Sequence, residues 1–197
     1  MTDCSQAGYS PTWHTKQMKL IIVDRDGVIN RESDAYIKNP DEWVPLPGSL
    51  AALSQLTQTG WTVVVATNQA AVGRGLITLE VLETIHEKMR TAVIAAGGRL
   101  DAIFFCPHHP NDGCSCRKPK PGLLHQIADF YGVDLKAVPF VGDTQGDILA
   151  ARSVGARPLL VLTGRGVATL AEMGNTDELE VYANLAAVAK KLIGEMN

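Results

Sequence analysis

The chain has 197 residues, of which 46% are hydrophobic and 20% are charged. A domain of about this length buries roughly 70% of the surface of its unfolded chain, so it does not need disulfides to build a core. Its formal net charge is -3 and it has no long basic run, which argues against a nucleic-acid partner. No apolar run reaches the roughly 18 residues of a membrane span, so we expect no membrane partner either.

The first residues of the chain are polar and unpatterned, and they do not have the layout of a secretory signal. We therefore expect residues 1–18 to form a disordered leader, followed by a single domain over residues 19–197. Without an export signal the expected location is the cytoplasm, which is a reducing compartment. Clustered cysteines in such a compartment bind metal more often than they form disulfides.

Short apolar runs alternate with longer segments of helical period through the rest of the chain. The predicted strands are Leu20–Asp24, Trp61–Asn68, 101–105, 137–143 and 158–162. The predicted helices are 48–60, Thr78–Ala96, 122–132, 147–155 and Asn184–Ile193. This alternation is typical of βαβ units, so the sequence predicts an α/β fold: a three-layer, Rossmann-like parallel sheet with helices on both faces.

Four motifs stand at or between the predicted strand ends, where parallel sheets bind their ligands. The first strand ends in "DRDGVIN", the second in "TNQ" and the fourth in "GDTQGD", while "CRKPKPG" lies between the third and the fourth. Several aspartates brought to one edge repel one another unless a cation lies among them. Oxygen ligands of this kind suit Mg²⁺, which typically takes one or two carboxylates together with a substrate phosphate.

The chemistry that this set of residues fits is phosphoryl transfer to an aspartate. Asp24 would attack phosphorus to form an acyl phosphate, and Asp26 would protonate the leaving oxygen and then activate water. Each motif alone is common in loops and helix caps. The prediction of a phosphoryl-transfer site therefore rests on all four motifs occurring in order at or between successive strand ends.

These motifs resemble the four motifs of the haloacid dehalogenase superfamily of aspartate-nucleophile phosphatases, over about residues 19–162. The resemblance implies that Asp24 is the nucleophile and Asp26 the general acid/base. It further implies that Thr67 and Lys118 stabilise the phosphoryl group during transfer.

The resemblance also implies a Mg²⁺ site at the same edge of the sheet. Its ligands would be the carboxylates of Asp24, Asp26 and Asp143 and the backbone carbonyl of Arg25. Asp147 would support Lys118 or a water on the metal. The segment Arg31–Val44 is too short to hold a large cap domain, so we expect a minimal cap.

The loop at residues 106–116 has the pattern C-x-H-x₅-C-x-C, formed by Cys106, His108, Cys114 and Cys116. Three cysteines and one histidine make up the ligand set of a closed tetrahedral Zn²⁺ site, which is structural because no position is open. A redox pair and unbound thiols are the alternatives, and His109 is the competing histidine. Because Arg117 and Lys118 follow the last cysteine directly, the zinc-binding loop should fix the segment that presents them.

The residues expected near the substrate resemble one branch of the superfamily in particular. "TNQ", Gly73-Arg74-Gly75 and the zinc loop running into "RKPKPG" are similar to the branch that removes the 7-phosphate of a heptose 1,7-bisphosphate for lipopolysaccharide synthesis. A histidinol-phosphate phosphatase, a phosphotransferase and a non-catalytic zinc-bearing interaction domain are the alternatives. We expect a monomer whose contacts to the phosphorylated sugar are made by Asn68, Gln69, Arg74, Arg117 and Thr144.

Some residues carry no functional interpretation at this point. His14, His86 and His125 have no partner in the sequence, and we interpret them as ordinary surface or interface histidines. The run "TGRG" at 163–166 follows the last predicted strand and is interpreted as a plain loop.

Overall fold

The computed structural model describes residues 18–174 and 179–195. The predicted leader lies outside the described residues, apart from Met18. Within the described part of the chain, no helix combines the length and the apolar character needed to cross a membrane.

Six strands form the central sheet: β1 (Leu20–Val23), β2 (Thr62–Asn68), β3 (Ala102–Cys106), β4 (Pro139–Gly142), β5 (Arg157–Val161) and β6 (Glu180–Tyr182). Their order across the sheet is β3-β2-β1-β4-β5-β6, and every neighbouring pair is parallel. The prediction of a parallel α/β sheet is therefore confirmed.

The helices of the described residues are α1 (Ser49–Gln58), α2 (Ala70–Gly73), α3 (Leu79–Ala95), α4 (Gly122–Tyr131), α5 (Gln145–Ser153), α6 (Gly166–Met173) and α7 (Leu185–Gly194). Thr78 begins α3 as predicted, because its hydroxyl accepts a hydrogen bond from the backbone N–H of Val81. Asn184 caps α7 in the same way.

The central strands β1, β2 and β4 bury both of their faces, with alternate residues on opposite sides of the sheet. On β1, Ile21 and Val23 pack with α1, α3 and α7, whereas Leu20 and Ile22 pack with α4 and α5. Strands covered on both sides need apolar residues at every position, which is why they appear in the sequence as continuous apolar runs. The helices thus form two layers around the sheet, as predicted.

Two elements at the β5 side of the sheet are not among those predicted. Helix α6 begins at Gly166, the last residue of "TGRG", without a side-chain cap, and it packs Leu170 and Met173 against a small cluster. Strand β6 has three residues and forms the edge of the sheet, paired with β5. A short edge strand and an uncapped helix carry too little periodic pattern to be recognised in the sequence.

The order of the strands places the functional site. The chain runs from β1 through β2 to β3, and then returns to put β4 on the other side of β1. The carboxyl ends of β1 and β4 therefore form the switch point where open α/β sheets bind ligands. Asp24 follows β1 and Asp143 follows β4, so the fold brings the first and fourth motifs together.

Leu53 tests the core between α1 and the sheet, because its side chain is fully buried there. Leu53→Ala should lower the free energy of unfolding by about 2–5 kcal/mol, since it leaves a cavity. Leu79→Ala is the matched control at a residue that is 51% exposed. It should change the free energy of unfolding by less than about 0.5 kcal/mol. Urea denaturation followed by circular dichroism measures both, and equal losses would contradict the assigned core.

Candidate active site

Lys118 lies at the centre of the switch point and is 4% exposed. Its ammonium group is 3.0 Å from Asp24 Oδ1 and 2.6 Å from Asp147 Oδ1. It also donates a hydrogen bond to the backbone carbonyl of Ala66, at 2.7 Å. A buried charge needs such partners to offset the loss of water. The third motif is therefore held directly against the predicted nucleophile of the first.

Asp143 is fully buried and completes an acidic cluster. One carboxylate oxygen from each of Asp24, Asp143 and Asp147 lies within 4.8 Å of the others. Asp143 Oδ2 accepts a hydrogen bond from the backbone N–H of Arg165 at 2.8 Å, whereas Oδ1 is buried without a hydrogen-bond partner in the described chain. An unpaired buried oxygen beside two further carboxylates is a donor set that suits a hard divalent cation. The residues therefore fit the expected Mg²⁺.

Two glycines let the backbone approach this acidic cluster. Gly27 has a φ of +77° and Gly164 a φ of +57°, and a Cβ atom at either position would overlap the Asp143 carboxylate. The Thr163 hydroxyl donates a hydrogen bond to the Gly27 carbonyl at 2.6 Å. The "TGRG" turn, interpreted from the sequence as a plain loop, therefore forms a wall of the site.

Burial and mutual repulsion set the electrostatics of the cluster. Burial raises the pKa of Asp24 to about 7; Lys118 opposes this rise, while Asp147 and Asp26 add to it. Burial and the charge of Asp24 raise the pKa of Asp143 to about 8. Burial alone would lower the pKa of Lys118, but the carboxylates of Asp147 and Asp24 outweigh burial and raise that pKa. Lys118 therefore stays charged, and the three carboxylates around it give the cluster a net negative charge.

Asp26 lies beside the nucleophile but outside the acidic cluster. Its carboxylate accepts hydrogen bonds from Arg25 Nη2 at 2.9 and 3.0 Å, from Asn30 at 2.8 Å and from Gln69 at 2.8 Å. Burial would raise the pKa of Asp26, but the charge of Arg25 and these hydrogen bonds outweigh burial and lower that pKa. The carboxylate is thus held in one orientation, which proton transfer to a defined atom requires.

One predicted metal ligand, the Asp26 carboxylate, lies outside the acidic cluster. The Asp26 side chain is turned toward the donors just described. The Arg25 carbonyl accepts hydrogen bonds from the backbone N–H groups of Ile29 at 2.8 Å and Asn30 at 3.1 Å. Asp147, which we assigned a supporting position, stands in the cluster where Asp26 was expected.

The side chains of the second motif hold neighbouring residues of the site in place. Thr67 is 1% exposed, and its hydroxyl accepts a hydrogen bond from Gln69 Nε2 at 3.0 Å, which leaves the hydroxyl proton for a ligand. The Asn68 amide donates to the Lys118 carbonyl and accepts from the Lys118 N–H, both at 3.1 Å. Asn68 and Gln69 were predicted to contact substrate. Both residues line the cavity of the site, and their amides also hold Lys118, Thr67 and Asp26 in place.

The four predicted zinc ligands come together at the end of β3. One ligand atom from each of Cys106, His108, Cys114 and Cys116 lies within 4.8 Å of the others. Neighbouring ligand atoms are 3.2 to 3.6 Å apart. A tetrahedron with Zn–S bonds of about 2.3 Å has edges of about 3.8 Å, and edges to nitrogen are shorter. His109 is used elsewhere, since its Nδ1 accepts from the backbone N–H of Asn111. The donor set and its spacing fit Zn²⁺.

A cavity of about 420 Å³ is lined by the reacting groups Asp24, Asp26, Thr67 and Lys118. All five predicted substrate contacts also line it: Asn68, Gln69, Arg74, Arg117 and Thr144. Arg117 Nη1 is buried without a hydrogen-bond partner in the described chain, so it is a donor available to a ligand. Thr144 also caps α5 and donates its hydroxyl to Asp147. The cavity volume lies in the range of small-molecule sites.

His86 is a site residue that the sequence interpretation missed. It is fully buried on α3 rather than at the surface, and its Nε2 is 3.4 Å from Arg25 Nη1. The signal was present, because His86 comes four residues after Leu82 and three before Met89, both of which are buried. The helical period of α3 therefore predicts an inward-facing His86.

Comparison with known proteins agrees with this geometry. Residues 115–188 match the family model for HAD-hydrolase-like proteins. The chain is 54% identical over 178 residues to the D-glycero-beta-D-manno-heptose-1,7-bisphosphate 7-phosphatase of Bordetella bronchiseptica. The matched region covers 90% of this chain and 99% of the relative. This chain is 53% identical over 176 residues to the protein of the same name from Pseudomonas putida, with coverages of 89% and 100%.

The solved structures give the same result. A crystal structure of the D,D-heptose 1,7-bisphosphate phosphatase of B. bronchiseptica, complexed with magnesium and phosphate, matches with a TM-score of 0.88 at 54% identity. The match covers 90% of this chain and 99% of that one. The parallel sheet and the aspartates at its switch point thus define a phosphatase of the HAD-like hydrolase class. Within that class, the chain belongs to the family of D-glycero-beta-D-manno-heptose-1,7-bisphosphate 7-phosphatases.

The raised pKa values of Asp24 and Asp143, about 7 and about 8, predict a pH-dependent response to Mg²⁺. Because the folded protein then holds protons that the unfolded chain has released, the free energy of unfolding of the metal-free protein should fall as the pH rises from about 4 to 8. Mg²⁺ competes with those protons, so its stabilising effect should grow between pH 6 and pH 8. Each tenfold gain in affinity adds about 1.4 kcal/mol at saturating Mg²⁺.

Thermal melting with and without Mg²⁺ at the two pH values measures this response. In Asp143→Asn the pH dependence of the Mg²⁺ effect should shrink, because one of the two titrating carboxylates is gone. An equal rise in Tm at pH 6 and pH 8 for the unmodified chain would refute the expected coupling.

Proposed function

We propose that this phosphatase removes the 7-phosphate of D-glycero-β-D-manno-heptose 1,7-bisphosphate through an aspartyl-phosphate intermediate. The observation that carries the proposal is one cavity that holds the Asp24–Lys118 pair together with Arg117, whose buried Nη1 has no partner in the described chain. A bisphosphate needs both a reacting site and a second anion contact. The names of the relatives with 54% and 53% identity specify this substrate and its β anomer.

In the first step, Asp24 attacks phosphorus and the bond between phosphorus and the sugar oxygen breaks. Asp24 Oδ1 is held by the backbone N–H of Arg25 at 2.7 Å and by Lys118 at 3.0 Å, which leaves Oδ2 to attack. Asp26 takes up a proton together with the bound phosphate and gives it to the leaving sugar oxygen. Arg25 lowers the pKa of this carboxyl in the free protein, so the protonated form is a minority there. Lys118 and the Thr67 hydroxyl offset the negative charge on the phosphoryl oxygens.

In the second step, Asp26 acts as the base. It takes a proton from a water molecule, the water oxygen attacks phosphorus, and the acyl phosphate bond to Asp24 breaks. Inorganic phosphate is released and both carboxyl groups return to their starting states. The hydrogen bonds to Asp26 from Arg25, Asn30 and Gln69 keep it at the same place for both proton transfers.

Two metals complete the proposal. Mg²⁺ would be held by Asp24, Asp143 and the backbone carbonyl of Arg25, and it would supply positive charge next to the phosphate. Zn²⁺ would be held by Cys106, His108, Cys114 and Cys116 and would have a structural role. We further propose a single domain over residues 19–197 that works as a monomer in the cytoplasm, since one chain supplies every group used here.

The charges at the cavity favour a bisphosphate over histidinol phosphate. The acidic residues Glu32 and Asp34 line the cavity, but both face Arg165, at 3.7 and 2.9 Å. Carboxylates that are already paired are poor partners for the amine of histidinol phosphate. Arg117 remains as an available donor, and guanidinium groups bind phosphate well.

Inorganic phosphate release in the presence of Mg²⁺ tests the substrate and the nucleophile together. The wild-type chain should prefer heptose 1,7-bisphosphate over histidinol phosphate. Asp24→Asn should lower the rate by at least about 10³-fold, because an amide is not a nucleophile for this transfer. Asp129→Asn, the same change at an exposed residue of α4, is the control and should keep full activity. A preference for histidinol phosphate would overturn the substrate, and an active Asp24→Asn variant would overturn the mechanism.

Loss of zinc should reduce activity without unfolding the chain. The zinc ligands belong to a small separate cluster, distinct from the two main clusters that flank the sheet. Cys116→Ser should lower kcat/KM by roughly 10-fold or more, because Arg117 and Lys118 follow this ligand directly.

Zinc content, far-UV circular dichroism and phosphate release with excess Mg²⁺ follow the three effects separately. Ser115→Ala lies between two ligands and supplies no metal-binding group, so it should retain both zinc and activity. A zinc-free variant with unchanged kcat/KM would show that the metal does not support the site.

A further inference from the structure

The orientation of Asp26 depends mainly on its neighbour in the sequence. Arg25 is 1% exposed, which is unusual for an arginine, and its guanidinium contacts the Asp26 carboxylate through two nitrogens. Nη2 lies 2.9 Å from Oδ2 and 3.0 Å from Oδ1, while Nε lies 3.2 Å from Oδ1. A planar fork of this kind fixes the direction of a carboxylate as well as its charge.

The third nitrogen of the fork faces His86. Arg25 Nη1 is 3.4 Å from His86 Nε2, and the two residues are 61 positions apart in the chain. An arginine has no acceptor, so His86 Nε2 accepts this hydrogen bond and the proton of the neutral ring is on Nδ1. The ring is fully buried and meets the edge of Phe105, with the ring centroids 5.5 Å apart. His86 therefore has a fixed place from which to accept.

The charges around His86 keep it an acceptor. Burial, together with the positive charges of Arg25 and Arg90, lowers the pKa of His86 to about 3, and Asp26 opposes this only weakly. The ring is consequently neutral near pH 7. A protonated ring would place a second cation against the guanidinium and would have no lone pair to offer it.

We propose that His86 is a positioning residue for proton transfer: it accepts from Arg25 and so holds the guanidinium in the orientation that grips Asp26. The inference rests on the role of Asp26 as general acid in the proposed function. His86 lies outside the cavity lining, so it acts through Arg25 and not on the substrate. Without this acceptor, a buried guanidinium N–H loses its partner, and the fork is free to turn away from the carboxylate.

The leaving group separates a positioning effect from a general loss of structure. A sugar alcohol is a poor leaving group and needs the proton of Asp26, whereas p-nitrophenolate leaves readily without one. The ratio kcat/KM reports the steps up to release of the alcohol, so it isolates the first transfer. A misplaced Asp26 should therefore slow the sugar phosphate much more than p-nitrophenyl phosphate.

Two substitutions of His86 provide the test. His86→Phe keeps the ring against Phe105 but removes the acceptor, and it should lower kcat/KM for the sugar phosphate by roughly 10- to 100-fold. The same variant should change kcat/KM for p-nitrophenyl phosphate by less than about 3-fold. His86→Gln restores an acceptor oxygen and should recover most of the loss. His125→Phe makes the same chemical change at an exposed residue and should leave both ratios unaltered.

A double-mutant cycle with Arg25→Lys links the two residues. Lysine cannot form the fork, so His86→Phe should cost little more in the Arg25→Lys background than Arg25→Lys alone. Equal losses on both substrates for His86→Phe, or additive losses in the cycle, would overturn the positioning role. Melting temperatures of all variants identify any that fail to fold. If His86→Phe is one of them, His86→Leu, which also removes the acceptor, replaces it in the substrate comparison and in the cycle.

The proposed function can fail independently of this inference. If the wild-type chain accepts histidinol phosphate and not the heptose bisphosphate, the substrate assignment is wrong. The leaving-group comparison is then made with histidinol phosphate, which is also an ester of an aliphatic alcohol.

Discussion

The concentration of negative charge at the switch point is the constraint on which the rest of the site depends. Four aspartates, at positions 24, 26, 143 and 147, stand within a few residues of β1 and β4. The cations among them are the side chains of Arg25 and Lys118, each almost fully buried. Two cations against four carboxylates leave two negative charges, which equals the charge of one divalent metal. Each side chain thus has its own counter-charge only when the metal is counted with the protein.

The two buried cations serve different carboxylates. Lys118 bridges Asp24 and Asp147, and Arg25 grips Asp26. This division keeps the pKa of Asp26 low while the pKa of Asp24 is raised in the metal-free protein. The opposite shifts arise because burial outweighs Lys118 at Asp24, whereas Arg25 and the hydrogen bonds outweigh burial at Asp26.

Much of the fold and the identity of the reacting groups could be predicted from the sequence, because both leave local patterns. Buried parallel strands are continuous apolar runs, and the motifs follow them directly. The uses of individual polar side chains could not be predicted in the same way. Asn68 and Gln69 line the cavity as expected of substrate contacts, but the sequence did not indicate that their amides also hold Lys118 and Asp26. Such contacts join residues far apart in the chain and leave no spacing to read.

The errors have a common physical origin. Arg25 and His86 are polar residues inside the protein, and composition rules assign such residues to the surface. Asp26 offsets the loss of water at Arg25, and Arg25 in turn is the partner of His86, 61 positions away in the chain. The helical period of α3 places His86 on the buried face of the helix. Giving this period more weight than the polar character of histidine corrects the prediction of a surface position.

The position of β4 between β1 and β5 has a consequence for synthesis on the ribosome. Strands β1, β2 and β3 are complete once residue 106 has emerged, and they are neighbours in the finished sheet. Strand β4 follows only at residues 139–142, so the hydrogen-bonding edge of β1 is open while more than thirty further residues are made. Asp143 and Asp147 arrive with β4 and α5. In the nascent chain, the pairing of β4 with β1 therefore covers the open edge of β1 and completes the acidic cluster at the same time.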